Sequence, residues 1–373
     1  MANRAYIGID GVSRQVKKGY IGVEGVARNI KKAYIGIGGV ARPCWSGGGK
    51  LEYYGTIPGL VTARYGLAAT TVGGYALFGG GKTNTTYQDW VDAYNESMTK
   101  SRTTALSVAR GLLKATTVGN YALFGGGDQS DRLSATVDAF DESLTRTTPA
   151  TLSAAVRYLD ATTVGDYALF GGGNGNNAKV DAYDKSLTKT SAPELSVGRY
   201  YIAATTVANY ALFGGGDRPH SIVDAYDASL TRTTPMELSV PRAELAATSL
   251  WNYALFGGGF MGYVFATMYT TVDAYNKSLT RTIPTELSAG RYHLSATSVA
   301  DYALFAGGVG KDDVAFDTVD AYDTSLTRTI TTKLSVPRGQ LAATSIGNYA
   351  LFGGGFDEAK KLVSEKVDAY KVI

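Results

Sequence analysis

Two histidines, His220 and His293, and one cysteine, Cys44, are the only imidazole and thiol donors in the chain. They stand far apart with no second donor at a ligand spacing, so neither a metal site nor a cofactor is expected, and both histidines read as exposed loop residues. Gly79-Gly-Gly-Lys82-Thr83 has the tail of a phosphate-binding loop, but Ala76 stands where its first glycine is required and no helical pattern follows. Asp312, Asp313, Asp317, Asp357 and Glu358 are the carboxylates that a hydrolase or lyase would use, though spacing alone does not pair them. Two polar series recur through the chain: Asp92, Asp138, Asp181, Asp224, Asp273, Asp320 and Asp368, and Arg64, Arg110, Arg157, Arg199, Arg242, Arg291 and Arg338. Catalysis needs an asymmetric constellation, which groups present in every repeat do not supply. The two series are therefore read as a repeated hydrogen bond or ion pair between units, not as a metal funnel or an anion site.

The frame that carries these residues is a repeat of seven units. Tyr-Ala-Leu-Phe followed by small residues begins at Tyr75, Tyr121, Tyr167, Tyr210, Tyr253, Tyr302 and Tyr349. Val-Asp-Ala-Tyr or Val-Asp-Ala-Phe begins at Val91, Val137, Val180, Val223, Val272, Val319 and Val367. From each second motif to the next first motif the offset is 30 residues, whereas within a unit it is 16, 16, 13, 13, 19, 17 and 18. A fixed frame with one free loop per unit is how a binding surface is mounted on a rigid scaffold. Residues 245–259 read as two strands around Trp251-Asn252, and residues 272–282 as two more around Asn276-Lys277. Four short antiparallel strands in a unit of ~45 residues make one blade of a β-propeller, and seven copies make seven blades. The seventh unit lacks a fourth strand, and Leu51-Glu-Tyr-Tyr-Gly-Thr-Ile-Pro resembles Leu230-Thr-Arg-Thr-Thr-Pro. Residues 51–57 are expected to complete the last blade and close the ring.

Composition agrees with an all-β chain. Hydrophobic residues make up 45% and charged residues 18%, enough for a large core, and 46 glycines with no long amphipathic run favour short strands joined by turns. One cysteine excludes an intrachain disulfide. The start lacks the basic and apolar pattern of a signal peptide, and no stretch has the length and apolarity to enter a membrane, so synthesis in a cytoplasm is expected. Tyr6, Tyr20 and Tyr34 open three similar segments spaced by 14 residues, each reading as a hairpin turned at Asp10-Gly11, Glu24-Gly25 or Gly38-Gly39. Residues 1–50 carry nine Lys and Arg against Asp10 and Glu24, a charge of +7; with +3 for the whole chain, residues 51–373 sum to −4. Lysines recurring on exposed strands guard sheet edges, so nucleic acid is not the expected partner. Three small hairpins bury little surface, and residues 1–49 are expected to dock on a larger structure or to form a homo-oligomer. The domain reading is a hairpin attachment segment at 1–45, a Gly-rich linker at 46–50 and a seven-bladed propeller of four-stranded antiparallel blades at 51–373.

The glycine run after an apolar strand, the Val-Asp-Ala-Tyr strand, and the Arg in Leu238-Ser-Val-Pro-Arg242 and Leu334-Ser-Val-Pro-Arg338 resemble kelch-repeat propellers. The fourth strand departs from the kelch pattern: it reads Leu-Thr-Arg or Leu-Thr-Lys where kelch units carry a Trp, so the resemblance implies the fold more than a kelch function. Kelch-type copper radical oxidases use a Tyr cross-linked to a Cys and two His, which this chain does not supply. Neither the Ser-x-Asp-x-Gly-x-Thr-Trp boxes nor the arginine triad of sialidase-like propellers occurs. The hairpin repeats joined to such a propeller are similar to phage- and prophage-encoded virion proteins of tails or fibres.

Specificity is expected on the face that carries the variable loops between second and third strands. The candidate ligand-binding residues there are Tyr87 and Trp90, Arg218 and His220, and Phe260, Tyr263, Phe265 and Tyr269. Exposed aromatics at such places either anchor sugars and protein partners or fold back to cap the central channel. The functional expectation is a non-enzymatic, virion-associated adhesion or structural protein. Its loops would bind a host cell-surface glycan or protein, and residues 1–49 would contact other virion proteins. The alternatives are a glycan-active hydrolase or lyase on the variable face and an intracellular interaction scaffold.

Overall fold

The computed structural model describes residues 49–217, 220–262 and 267–373, together with the backbone of six strands between residues 5 and 46. Those six pair as three antiparallel hairpins, Ala5–Ile9 with Val12–Val16, Tyr20–Val23 with Val26–Asn29, and Lys32–Ile37 with Val40–Ser46. The expected turn pairs Asp10-Gly11, Glu24-Gly25 and Gly38-Gly39 lie outside the described residues.

From residue 51 onward the chain forms seven four-stranded antiparallel sheets. Blade 2 is representative, with strands Lys114–Val118, Tyr121–Gly125, Val137–Phe140 and Arg146–Thr147 in sequence order. The first strands of neighbouring blades lie against one another, which puts them at the axis. Blade 7 consists of Ala342–Ile346, Tyr349–Gly353 and Val367–Val372, with Leu51–Ile57 pairing antiparallel to the last of these as its fourth strand. The Tyr53 hydroxyl donates to Asp368 at 2.6 Å, the part that Arg146 and Arg232 play toward Asp138 and Asp224.

Packing explains the repeated words. Ala, Leu and Phe of each Tyr-Ala-Leu-Phe are buried, and seven apolar clusters fill the seams between blades. The Phe ring meets the Tyr or Phe of Val-Asp-Ala-Tyr/Phe edge-on, as Phe78 does Tyr94 at 5.8 Å, a contact worth about 0.5–1.5 kcal/mol beyond burial. The glycine run is the seam itself. A Cβ on Gly79 would come within 2.7 Å of the Phe124 ring of the next blade, and Gly81 donates its amide to the Arg110 carbonyl at 2.9 Å. The same amide-to-carbonyl bond recurs at every seam, ending with Gly355 to Arg64 at 2.9 Å, so a side chain there would separate the blades.

The Asp and Arg series form ion pairs, but within blades and not between them. Arg110 Nη1 stands 2.7 Å from Asp138 Oδ2 and Arg242 Nη2 2.8 Å from Asp273 Oδ2, every side chain fully buried. Each arginine side chain fastens the incoming link to the second and third strands of its own blade, while the backbone amide and carbonyl, as in Arg110, bond to the preceding blade. Blade 3 breaks the series: Arg157 is not a member. The ion-paired arginine lies four residues after the leucine of the link, as Arg110 does after Leu106, and four residues after Leu152 stands Val156. Asp181 accepts instead from the Ser153 amide and hydroxyl, with Lys189 Nζ at 3.4 Å.

The two ends of the ring differ. Turns between strands one and two meet the three–four turns of the next blade, Gly73 against Glu142 and Gly119 against Lys185, forming a turn face. The two–three loops bond to the links between blades, as in Leu106 to Asp89 and Arg110 to Gln88, forming a loop face. Lys50 pairs with Ile373, and Val372 bonds to Asn348 in a turn-face turn, so the chain enters the propeller from the turn face.

Candidate functional site

Each link passes into the first strand of its blade through one residue with left-handed backbone: Gly66, Leu112, Tyr158, Tyr201, Glu244, His293 and Gln340, with φ between 52° and 61°. The amide of one donates to the carbonyl of the one before it, Leu112 to Gly66 at 2.7 Å, Tyr201 to Tyr158 at 3.0 Å, Glu244 to Tyr201 at 3.0 Å, His293 to Glu244 at 3.3 Å, Gln340 to His293 at 2.9 Å and Gly66 to Gln340 at 3.0 Å. These six bonds join the seven residues in order around the axis from Tyr158 to Leu112. Left-handed backbone costs a non-glycine residue about 1–2 kcal/mol, and such strain gathers where function requires it. The seven residues are also chemically unlike one another in a frame that otherwise repeats. They line a cavity of about 310 Å³ at the loop-face end of the axial channel, together with Tyr65, Lys82, Phe356 and Glu358.

Two aromatic groups lie on nearly opposite sides of this mouth. Tyr65 stacks on Phe356 at 4.7 Å with 18° between planes, at the seam of blades 1 and 7. Tyr201 packs on Tyr158 at 4.1 Å and on Tyr200 at 5.0 Å, at blades 3 and 4. Between them His293 Nε2 stands 2.6 Å from Glu244 Oε2, on a carboxylate whose side chain is only 7% exposed. Burial, a hydrogen bond with Tyr158 and the charge of Glu244 hold the Tyr201 phenol well above its ordinary pKa, so it is a proton donor at neutral pH. Burial does the same to Tyr292, with Glu358, Asp313 and Glu244 adding to it. Lys82 Nζ lies 5.2 Å over Tyr65. At the seam of blades 2 and 3, Arg157 Nη1 stands 2.9 Å from Asp128 Oδ2, and the Tyr87 hydroxyl donates to the same oxygen at 3.1 Å.

The sequence-predicted residues are dispersed over the loop face. The Tyr87 hydroxyl donates to Asp128, and Phe260 packs on Tyr292 at 5.1 Å, so both are partly buried against neighbouring residues. Trp90 is covered by the Arg102 guanidinium at 3.5 Å, and the Tyr269 hydroxyl approaches Met261 Sδ at 3.9 Å. The His220 carbonyl accepts the Arg242 amide at 3.3 Å. Arg218, Tyr263 and Phe265 lie outside the described residues. Of the five acids, Asp312 is exposed, Asp317 pairs with Lys333 at 3.0 Å, and Asp357 with Lys360 at 2.8 Å. Asp313 bears on Tyr292, and Glu358 lines the cavity. Among the described residues no three His, Cys, Asp or Glu gather as metal ligands. Neither histidine is exposed as expected: His220 is half-buried, and His293 is 25% exposed and paired, because its left-handed backbone aims it at Glu244. The signal that would have found the ring is positional. The second residue after the arginine position differs in nearly every copy, while the residue that follows it is Leu in six copies and Ile202 in the other.

No protein-family model matches the chain, and no curated protein matches it. Among solved structures it is similar to that of YjhT, at 13% identity and a TM-score of 0.58, over 74% of this chain and 99% of that one. The likeness is one of fold.

Proposed function

We propose that this chain is a non-enzymatic adhesion module that binds a cell-surface saccharide in the mouth of its axial channel, its N-terminal hairpins joining it to a larger particle. The particle implied by the hairpin repeats and the kelch-like blades is a virion. The observation that carries this reading is polarity: the side chains of six link residues, of five different types, converge on one face, while the chain enters from the other at Gly49 and Lys50. A module built this way presents its site away from its attachment. The chemistry of the mouth favours a saccharide. Tyrosine rings offer flat apolar surface with protonated hydroxyls, Gln340, Glu244 and His293 offer further hydrogen-bonding groups, and a cavity of about 310 Å³ suits one or two sugar rings better than a protein loop. The dispersed acids favour binding over hydrolysis.

The test is a binding measurement on host wall polysaccharide with the full chain. Tyr201→Ala and Glu244→Gln are expected to weaken binding at least tenfold with the circular dichroism spectrum intact. Tyr263→Ser with Phe265→Ser, on the outer loop, should have a smaller effect, and Glu142→Ala on the turn face none. Undiminished binding by Tyr201→Ala would remove the mouth as the site.

A further inference from the structure

Blade 3 alone gives up the buried arginine, and what it does with the arginine one residue later carries the inference. Arg157 reaches across the seam to Asp128 and lies 4.8 Å over the ring of Tyr158. Giving up a structural ion pair that six other blades keep is the kind of local rule-breaking that marks a working site. Two atoms of the new arrangement are unspent. Asp128 has a side chain 5% exposed, yet both its contacts fall on Oδ2; Oδ1 is buried without a partner among the described residues, and so is Arg157 Nε. Buried polar atoms are nearly always satisfied, so the open carboxylate oxygen calls for a partner; the open Nε is less telling, since Arg64, Arg146, Arg242, Arg328 and Arg338 share it. The Arg157 side chain remains 39% exposed, so a ligand that shifts it reaches the buried Asp128 Oδ1.

We propose that Asp128 and Arg157 form a subsite for a second, neutral sugar residue, next to the one held in the channel mouth, and that they recognise two adjacent hydroxyls. One hydroxyl donates to Asp128 Oδ1 and its neighbour accepts from the Arg157 guanidinium. The proposal rests on the saccharide reading of the mouth. Neutrality follows from charge: Asp128 already balances Arg157, so a carboxylated sugar would gain little from the arginine and meet the aspartate. Adjacency follows from the packing of Arg157 on Tyr158, whose ring stands 4.1 Å from that of Tyr201, both tyrosines lining the mouth.

The experiment is saturation-transfer NMR and titration calorimetry on the full chain. The probes are glucose, galactose, mannose and N-acetylglucosamine, their 1,4-linked dimers, and a glucuronate-capped dimer. For the sugar that binds, the neutral dimer is expected to bind at least tenfold more tightly than the monomer. Asp128→Asn should bring the dimer down to the affinity of the monomer and leave the monomer unchanged, and Arg157→Gln, at a more exposed position, should do the same if the first variant folds poorly. Tyr201→Ala should remove both. Loss in Tyr201→Ala with an unchanged dimer-to-monomer ratio in Asp128→Asn and Arg157→Gln would overturn the subsite and keep the mouth. Tighter binding of the glucuronate-capped dimer would overturn its neutrality, and a wild-type chain that binds none of the probes would overturn both assignments.

Discussion

Asp273→Asn in blade 5, set against Asp181→Asn in blade 3, separates the energetics of the buried ion pair from those of the aspartate alone. Asp273 and Arg242 are both fully buried, with Nη2 2.8 Å from Oδ2, and the Ser239 amide donates to Oδ1 at 3.0 Å. Asparagine keeps the volume and can keep the amide bond, but it leaves the guanidinium buried against the Val240 and Phe256 carbonyls without a counter-charge. Breaking one side of a buried pair costs about 3–5 kcal/mol. At Asp181 no guanidinium is buried; the losses are hydrogen bonds from Ser153 and the pull of a partly exposed Lys189, about 1–2 kcal/mol. Unfolding entropy of about 2.1 cal/mol/K per residue over roughly 320 residues gives about 0.7 kcal/mol/K. The expected falls in melting temperature are then about 4–7 °C for Asp273→Asn and about 1–3 °C for Asp181→Asn, read by scanning calorimetry at neutral pH. Equal falls would refute the reasoning, since the buried arginine is the main difference between the two sites.

Acid should act through the turn face. Asp141, Asp184 and Asp227 each accept from a serine hydroxyl and two amides, which holds their carboxyls below the ordinary value. The unfolded chain takes up protons first as pH falls, so this contribution is present above about pH 4 and fades below it. Asn95 and Asn276 hold the same turn in blades 1 and 5 without titrating, so changing the three aspartates to Asn should leave melting at pH 7 within about 1–2 °C and flatten its decline from pH 4 to 2. In the mouth, Gln340→Gly relieves a left-handed φ of 52° and should raise the melting point by up to about 1 °C while weakening saccharide binding, whereas Gly66→Ala should lower it. A fall of more than about 2 °C in Gln340→Gly would show that the glutamine serves the fold.

Most of the frame could be read from the residues, because a propeller writes its packing into every blade. The 30-residue offset spans the third and fourth strands, the link and the first strand, all locked by seam contacts, and its constancy is the constancy of those contacts. The glycine run announced a close approach, although only coordinates show that its third amide bonds the next link. Arg157 misled because arginines were matched by type, while position relative to Leu152 is what decides burial. The site was obscured for a related reason. Attention to loop length points outward to residues such as Trp90, which Arg102 covers, whereas the residues that converge sit in links of constant length and differ only in identity. Constant length with changing identity is the sequence form of a ring whose backbone bonds to itself and leaves its side chains free.

Loop length still matters, as the shape of the rim. Blades 5, 6 and 7 have the longest loops, with offsets of 19, 17 and 18, and they bring Phe260, Asp313, Phe356 and Glu358 up around Tyr292 and Tyr65. Blades 3 and 4 have the shortest, at 13 each, and it is there that Arg157, Tyr158, Tyr200 and Tyr201 lie side by side. The mouth is therefore walled on one side and level with an aromatic platform on the other. A compact ligand would gain from walls on all sides. A saccharide chain with one end in the channel would need a gap through which the rest can leave, and the low side, where Arg157 packs on Tyr158 and pairs with Asp128, offers it. Under the saccharide proposal, the outer loops would set the direction in which the ligand leaves, and the seven link residues would decide which sugar enters.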